Sequence, residues 1–226
     1  MPLTLPSWPG PASVTPRPIT SRNEHRPAFG GPVTRNLRPG TRWAWDFVMP
    51  PMTYVESLDW DAILSEDDTV RIEIPQPGFD TGPPGSPVTD ETVAPPINQS
   101  GRYLAVKNMT PSYVVKQGQW LSVEVDGQLY AYKVRETRLA TWPGAPDVTF
   151  SDGTTFSDGS SFTQDPIPGG LCLIQLLTMI RKPIPAGTAV NLAQPMVEGF
   201  ATVDPSSLEI GTDGFVRLRF TIEERE

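Results

Sequence analysis

The side chains able to do acid–base or nucleophilic chemistry are few, and their spacing does not favour it. His25 is the only histidine and sits beside Glu24, Arg26 and Pro27 in a polar stretch. A general base needs an orienting partner and a nucleophile within hydrogen-bond reach, and its neighbours suggest neither, so an exposed structural histidine is the favoured reading. The single cysteine, Cys172, lies in the apolar run GGLCLIQLLTMI, where a small buried apolar role outweighs a reactive thiol. One cysteine also excludes an intrachain disulfide. The densest acidic group, Glu66-Asp67-Asp68, would suit a carboxylate-dependent hydrolase only if two acids faced each other across a cleft. A run of acids at a helix end is ordinarily a solvated turn. Asp152 and Asp158 raise calcium, but their spacing fits neither the EF-hand loop nor the nonapeptide repeat. Phosphate-loop, dinucleotide, HExxH and paired CxxC patterns do not occur. Arg135 and Arg138 are too few and too mixed with acids for a nucleic-acid patch. The expectation is therefore no catalytic residue, no metal site and no cofactor.

The elements that would have to position any site centre on the stretch Arg38 to Glu66, which reads as strand, stop, helix. Trp43, Trp45 and Phe47 alternate, so on a strand their rings share one face. That face could be a sugar platform, but burial against the following helix is favoured. Pro50 and Pro51 end the strand, since neither can donate to a ladder. Thr53 and Glu56 form a capping-box pattern. Val55, Leu58 and Ala62, with Ile63 beside them, predict the buried face of the helix, and Glu56, Asp59, Asp61 and Glu66 its wet side.

The rest is β and loop. The 226 residues hold 27 Pro and 19 Gly, which demands long irregular stretches. Residues 1 to 20 read as a Pro-rich extended arm, disordered when alone and able to cross to a neighbour. Val70 to Ile74 predicts a strand, and 75 to 100 a long surface loop. Tyr103 to Val106, Tyr113 to Val115 and Trp120 to Val125 predict strands. Asp126-Gly127 is a hairpin turn leading into Leu129 to Val134. A repeat, TFSDGT then TFSDGS, spaces Phe150, Phe156 and Phe162 six apart within an insert spanning 141 to 169. Leu171 to Ile180, Ala189 to Leu192 and Phe215 to Glu223 complete the strands, with Val216, Leu218, Phe220 and Ile222 inward. The fold class expected is all-β, a β-barrel or sandwich with one short α-helix and long Pro/Gly-rich loops, as a single domain over 21 to 226 after the arm. Formal net charge is −8, which disfavours docking on phosphate backbones or anionic membranes. The longest apolar run is too short to span a bilayer, and no secretion signal is visible, so folding in a reducing cytoplasm is expected.

The order of several short motifs resembles the distal tail protein family of long, non-contractile-tailed bacteriophages, in the compact form without added carbohydrate-binding modules. Those motifs are Thr41-Arg42-Trp43 leading to Met49-Pro50-Pro51-Met52 and the Trp60 helix, then Val115-Lys116-Gln117-Gly118-Gln119. Gly127-Gln128-Leu129-Tyr130 with Lys133-Val134 follows, and then the segment from Ile180-Arg181-Lys182-Pro183 to Ala189-Val190. The likeness covers residues 21 to 75 and 100 to 226. It implies a virion structural protein of the tail tip, assembled in the host cytoplasm: a hexameric ring joining the tail tube protein to the tail hub, with DNA only as cargo through the lumen. The family brings no catalytic residues. Scaffold and interface roles are expected at Arg42, Trp43, Trp45, Phe47, Met49, Pro50, Pro51 and Met52. The acidic balance suits a conduit, because a lumen of the same sign as DNA lets it slide. Alternatives are another tail tube, connector or completion subunit, or a monomeric carbohydrate-binding adhesin.

Overall fold

The computed structural model describes residues 2–20, 22–25, 31, 34–37, 40–66, 69–79, 92–94, 98–109, 115–141, 170–203, 209–211 and 214–225. In chain order the elements are β1 (Leu3–Thr4), β2 (Ser13–Ile19), β3 (Arg22–His25), β4 (Thr34–Leu37), β5 (Arg42–Val48), β6 (Met52–Thr53) and α1 (Tyr54–Leu64). There follow β7 (Thr69–Glu73), β8 (Thr92–Val93), β9 (Tyr103–Met109), β10 (Trp120–Val125), β11 (Gln128–Thr141) and β12 (Gly170–Leu176). The last are β13 (Val190–Asn191), β14 (Met196–Val203), β15 (Glu209–Ile210), β16 (Phe215–Arg217) and β17 (Arg219–Glu224). The chain is all-β, with curled sheets and, among the described residues, one short helix.

It divides into two compact units where a single domain was expected: Met1–Pro75 with Gln128–Ala131 and Met196–Glu226, and Gln76–Gly127 with Tyr132–Pro195. The first is built on a six-stranded sheet in the order β1-β7-β14-β17-β5-β2. Only β1 and β7 run parallel. Its core is laid down by alternation. Trp43, Trp45 and Phe47 are all buried, and so, across the ladder, are Phe220 and Ile222. Phe47 stacks on its cross-strand partner Phe220 at 5.1 Å between ring centroids, and Trp60 of α1 lies 5.9 Å from the same ring. Such pairs add to area burial because ring edges and faces carry opposite partial charge.

The Phe215 to Glu223 run is two strands, because the chain changes sheets within it. β16 pairs with β6 and β15, whereas β17 pairs with β5. At the crossing the Leu218 carbonyl accepts the Met49 amide at 2.9 Å. The 1 to 20 segment, expected as a separate arm, is woven in. β1 lies along Val70 and Arg71, and β2 runs antiparallel to β5 from Ser13↔Val48 to Ile19↔Arg42. Leu5 is buried and Trp8 exposed. As the edge strand, β2 tolerates Pro16 and Pro18, which have no amide to give to a ladder.

The second unit is a six-stranded sheet in the order β13-β10-β11-β12-β9-β8. The Asp126-Gly127 turn forms as the sequence predicts, with φ of 51° and 77°, the left-handed pair that a two-residue hairpin requires. Leu121, Val123 and Val125 are buried, as is Cys172. The 75 to 100 region is not wholly a surface loop. It contributes β8, and Gln99 is buried, its side-chain amide donating to the Ala94 and Ala105 carbonyls and its oxygen accepting the Ala105 amide at 2.7 Å. One glutamine thereby contacts three buried backbone groups, the Ala105 carbonyl also accepting the Ala94 amide at 2.8 Å. The Leu171 to Ile180 run is strand only as far as Leu176. Tyr113, Asp67, Asp68 and the Phe150 to Phe162 repeat with Asp152 and Asp158 lie outside the described residues, as do the side chains of His25 and Arg138.

Candidate functional site

Helix α1 begins as its sequence dictates. The Thr53 amide and hydroxyl both donate to Glu56 Oε2 at 2.8 Å, and the Glu56 amide returns to Thr53 Oγ1 at 3.4 Å. The backbone bond from Thr53, then its hydroxyl, holds the Glu56 carboxyl below its ordinary range. The helix then buries a different face from the one its aliphatic residues predict. Ser57, Trp60 and Leu64 point inward, while Val55 is 74% exposed and Leu58 44%. Trp60 decides this. Its indole removes more apolar surface from water than Val55 or Ala62 could, and Ser57 one turn earlier is small enough to let the helix approach. The Ser57 hydroxyl is satisfied locally, donating to the Tyr54 carbonyl at 2.8 Å.

The consequence is an outward helix face that is apolar along Val55, Leu58 and Ala62 and acidic along Asp59 and Asp61. Tyr54 flanks it, and no basic residue occupies the last turn. Exposed Phe215 stands opposite Thr53 in the ladder beside the helix start. Scattered surface aliphatics are normal, but a contiguous outward stripe beside an exposed ring marks an interaction surface.

Of the residues expected to be scaffold or interface, Trp43, Trp45, Phe47, Met49 and Met52 are buried in the first unit. Arg42 pairs with Glu223 at 2.6 Å. Pro50 is half-buried and Pro51 exposed, at the turn that delivers the chain to β6 and α1. The indoles of Trp43 and Trp45, 6.3 Å apart, are covered and offer no platform to a sugar.

Two carboxylates escaped the sequence reading. Glu224 is buried and accepts the Trp43 amide through Oε2 and the Ala131 amide through Oε1, both at 2.9 Å. The β5–β17 ladder ends at Ala44↔Glu223, and this side chain takes up the next amide. Glu198 on β14 is 0% exposed. Its Oε2 accepts Arg71 Nε and Nη2 at 2.8 Å and the Leu129 amide at 3.2 Å, and Arg225 Nε lies 3.6 Å from Oε1. Glu224 through both oxygens and Glu198 through Oε2 accept backbone and guanidinium donors and fasten residues 128–131 to the sheet, while the buried Oε1 of Glu198 has only the more distant Arg225 charge beside it. A carboxylate so engaged and covered is an anchor. A signal existed for one of them: Val216, Leu218, Phe220 and Ile222 set a period of two that carries on to Glu224.

Among the described residues, no group of His, Cys, Asp and Glu side chains could hold a metal ion. No described helix is long and apolar enough to cross a membrane. Compared with protein-family models and with curated protein sequences, the chain matches none.

Proposed function

We propose that the chain is a structural subunit of a bacteriophage tail, a distal tail protein whose copies close into a ring, hexameric on the family pattern. The ring would join tail tube to tail hub and leave a bore for DNA. The observation that carries this reading is the outward apolar stripe of α1, with Phe215 beside it, on a unit that uses its own buried acids and rings for scaffold. Such a surface costs free energy in water and is accounted for if a neighbour covers it. The collinear motifs from Thr41 to Val190 and the formal charge of −8 agree with it.

Native mass spectrometry with negative-stain imaging of the purified chain tests the reading. Closed rings of one stoichiometry are expected, together with the chain's presence in purified virions. A monomer at tens of micromolar that is missing from particles overturns it. Another tail connector would use the same surface, and gold labelling along the tail separates the two by position.

A further inference from the structure

A closed ring of head-to-tail copies needs two dissimilar, complementary patches on each copy. The first unit holds one such pair already mated within a single chain. β1 and β2 are consecutive in sequence, yet they stand at opposite edges of the six-stranded sheet, β1 beside β7 and β2 beside β5. Their hold is unequal. β2 is laddered to β5 from Ser13↔Val48 to Ile19↔Arg42, whereas β1 meets β7 only at Leu3↔Val70 and Thr4↔Arg71. The Leu5 amide then donates to the Arg71 carbonyl at 2.9 Å, and the Leu5 side chain is buried, so β7 offers this short segment a defined seat. Residues 5–12 form a strap that lies in no strand and carries Pro6, Pro9 and Pro11, which have no amide to give to a ladder. Trp8 stands on the strap 77% exposed. Tryptophan is among the commonest anchors of protein–protein contacts.

We infer that residues 3–5 are exchanged between copies. The strap of one copy turns outward from β2 and lays Leu3, Thr4 and Leu5 along β7 of the next, in the parallel register seen within one chain. Nine residue steps separate Thr4 from Ser13, a reach of at most about 30 Å when extended. That length crosses a six-stranded sheet, about 24 Å wide, and serves equally to reach the near edge of a neighbour. Donor and seat lie at opposite edges, so each copy gives on one side and receives on the other, as a head-to-tail ring requires. No new complementarity has to arise, because the segment and its seat already fit within one copy. The strap then lies over the seam between copies, where a neighbour covers Trp8.

This inference rests on the ring reading, and the test keeps the two apart. Thr4 and Glu73 are exposed and lie on one face of the β1–β7 pair, Glu73 two residues beyond the partner of Thr4. Rings of the Thr4→Cys, Glu73→Cys double variant are treated with a short bismaleimide and run on a denaturing gel, with the wild type as control for the buried Cys172. Exchange should give covalent multimers up to the size of the ring. The two single variants, co-expressed with a larger tag on one, should give crosslinked pairs of unlike size. A further variant, Leu5→Asp, checked for unchanged circular dichroism, should assemble at least about tenfold more weakly, because the seat on the next copy loses a buried leucine. Crosslinks confined to single chains, or Leu5→Asp rings as stable as those of the wild type, overturn the inference and leave the ring reading standing. A wild type that is monomeric under the same conditions overturns both.

Discussion

The two buried glutamates decide most at the residue scale. Removing Glu198 takes away the buried acceptor shared by the Arg71 guanidinium and the Leu129 amide, so Glu198→Ala should cost about 3–5 kcal/mol, read from urea unfolding with the slope unchanged. Close by, Gly199 has no room for a methyl group: a Cβ would stand 2.2 Å from the Glu223 carbonyl oxygen, backbone that cannot swing away. Gly199→Ala should lower stability by roughly 1–3 kcal/mol although its chemistry is minimal. Glu56 supplies the pH dependence. Its folded carboxyl is depressed by Thr53, so its contribution is present above the unfolded value and is lost as pH falls through the lower, folded one. Protection of the first α1 amides, measured by exchange, should drop across that acid window, and Glu56→Gln should abolish the drop. Glu224 was legible in the alternation of β17, one step past the point where the apolar residues stop. Glu198 was not, because Val197, Glu198 and Gly199 are all buried and a strand covered on both faces shows no alternation.

Among the elements, α1 separates what sequence can and cannot fix. Its start was written in Thr53 and Glu56, because capping is local chemistry. Its orientation was not, because both stripes are apolar and the choice between them depends on which one the sheet can accommodate. The energetic test is direct. Trp60→Ala should cost about 3–5 kcal/mol, as a cavity beneath Phe220. Val55→Ser with Leu58→Ser should leave stability within about 0.5 kcal/mol of the wild type, yet weaken assembly in sedimentation. The opposite pattern would mean that the helix turns its aliphatic side inward. Hairpin β10–β11 was readable from Asp126-Gly127 alone, since two left-handed residues in sequence leave few other conformations. Strand β14 was missed for want of alternation, and β1 and β2 because prolines usually argue against a ladder. Both are edge strands of the sheet, where that argument loses its force.

Over the whole molecule, the all-β class followed from strand and turn signals, while the division into two units did not. The first unit draws on three separate stretches of chain, and no composition change marks the seams. Its outer strand β2 has one more consequence. Pro16 and Pro18 are two apart, so their nitrogens lie on the same side of the strand, and neither can donate to β5. They therefore sit where the strand's outward donors would otherwise be. The chain is thereby hindered from strand-on-strand polymerisation along that border, even when concentrated. Pro16→Val with Pro18→Val should reopen the border and give thioflavin-positive fibrils on concentration, while the parent protein stays clear.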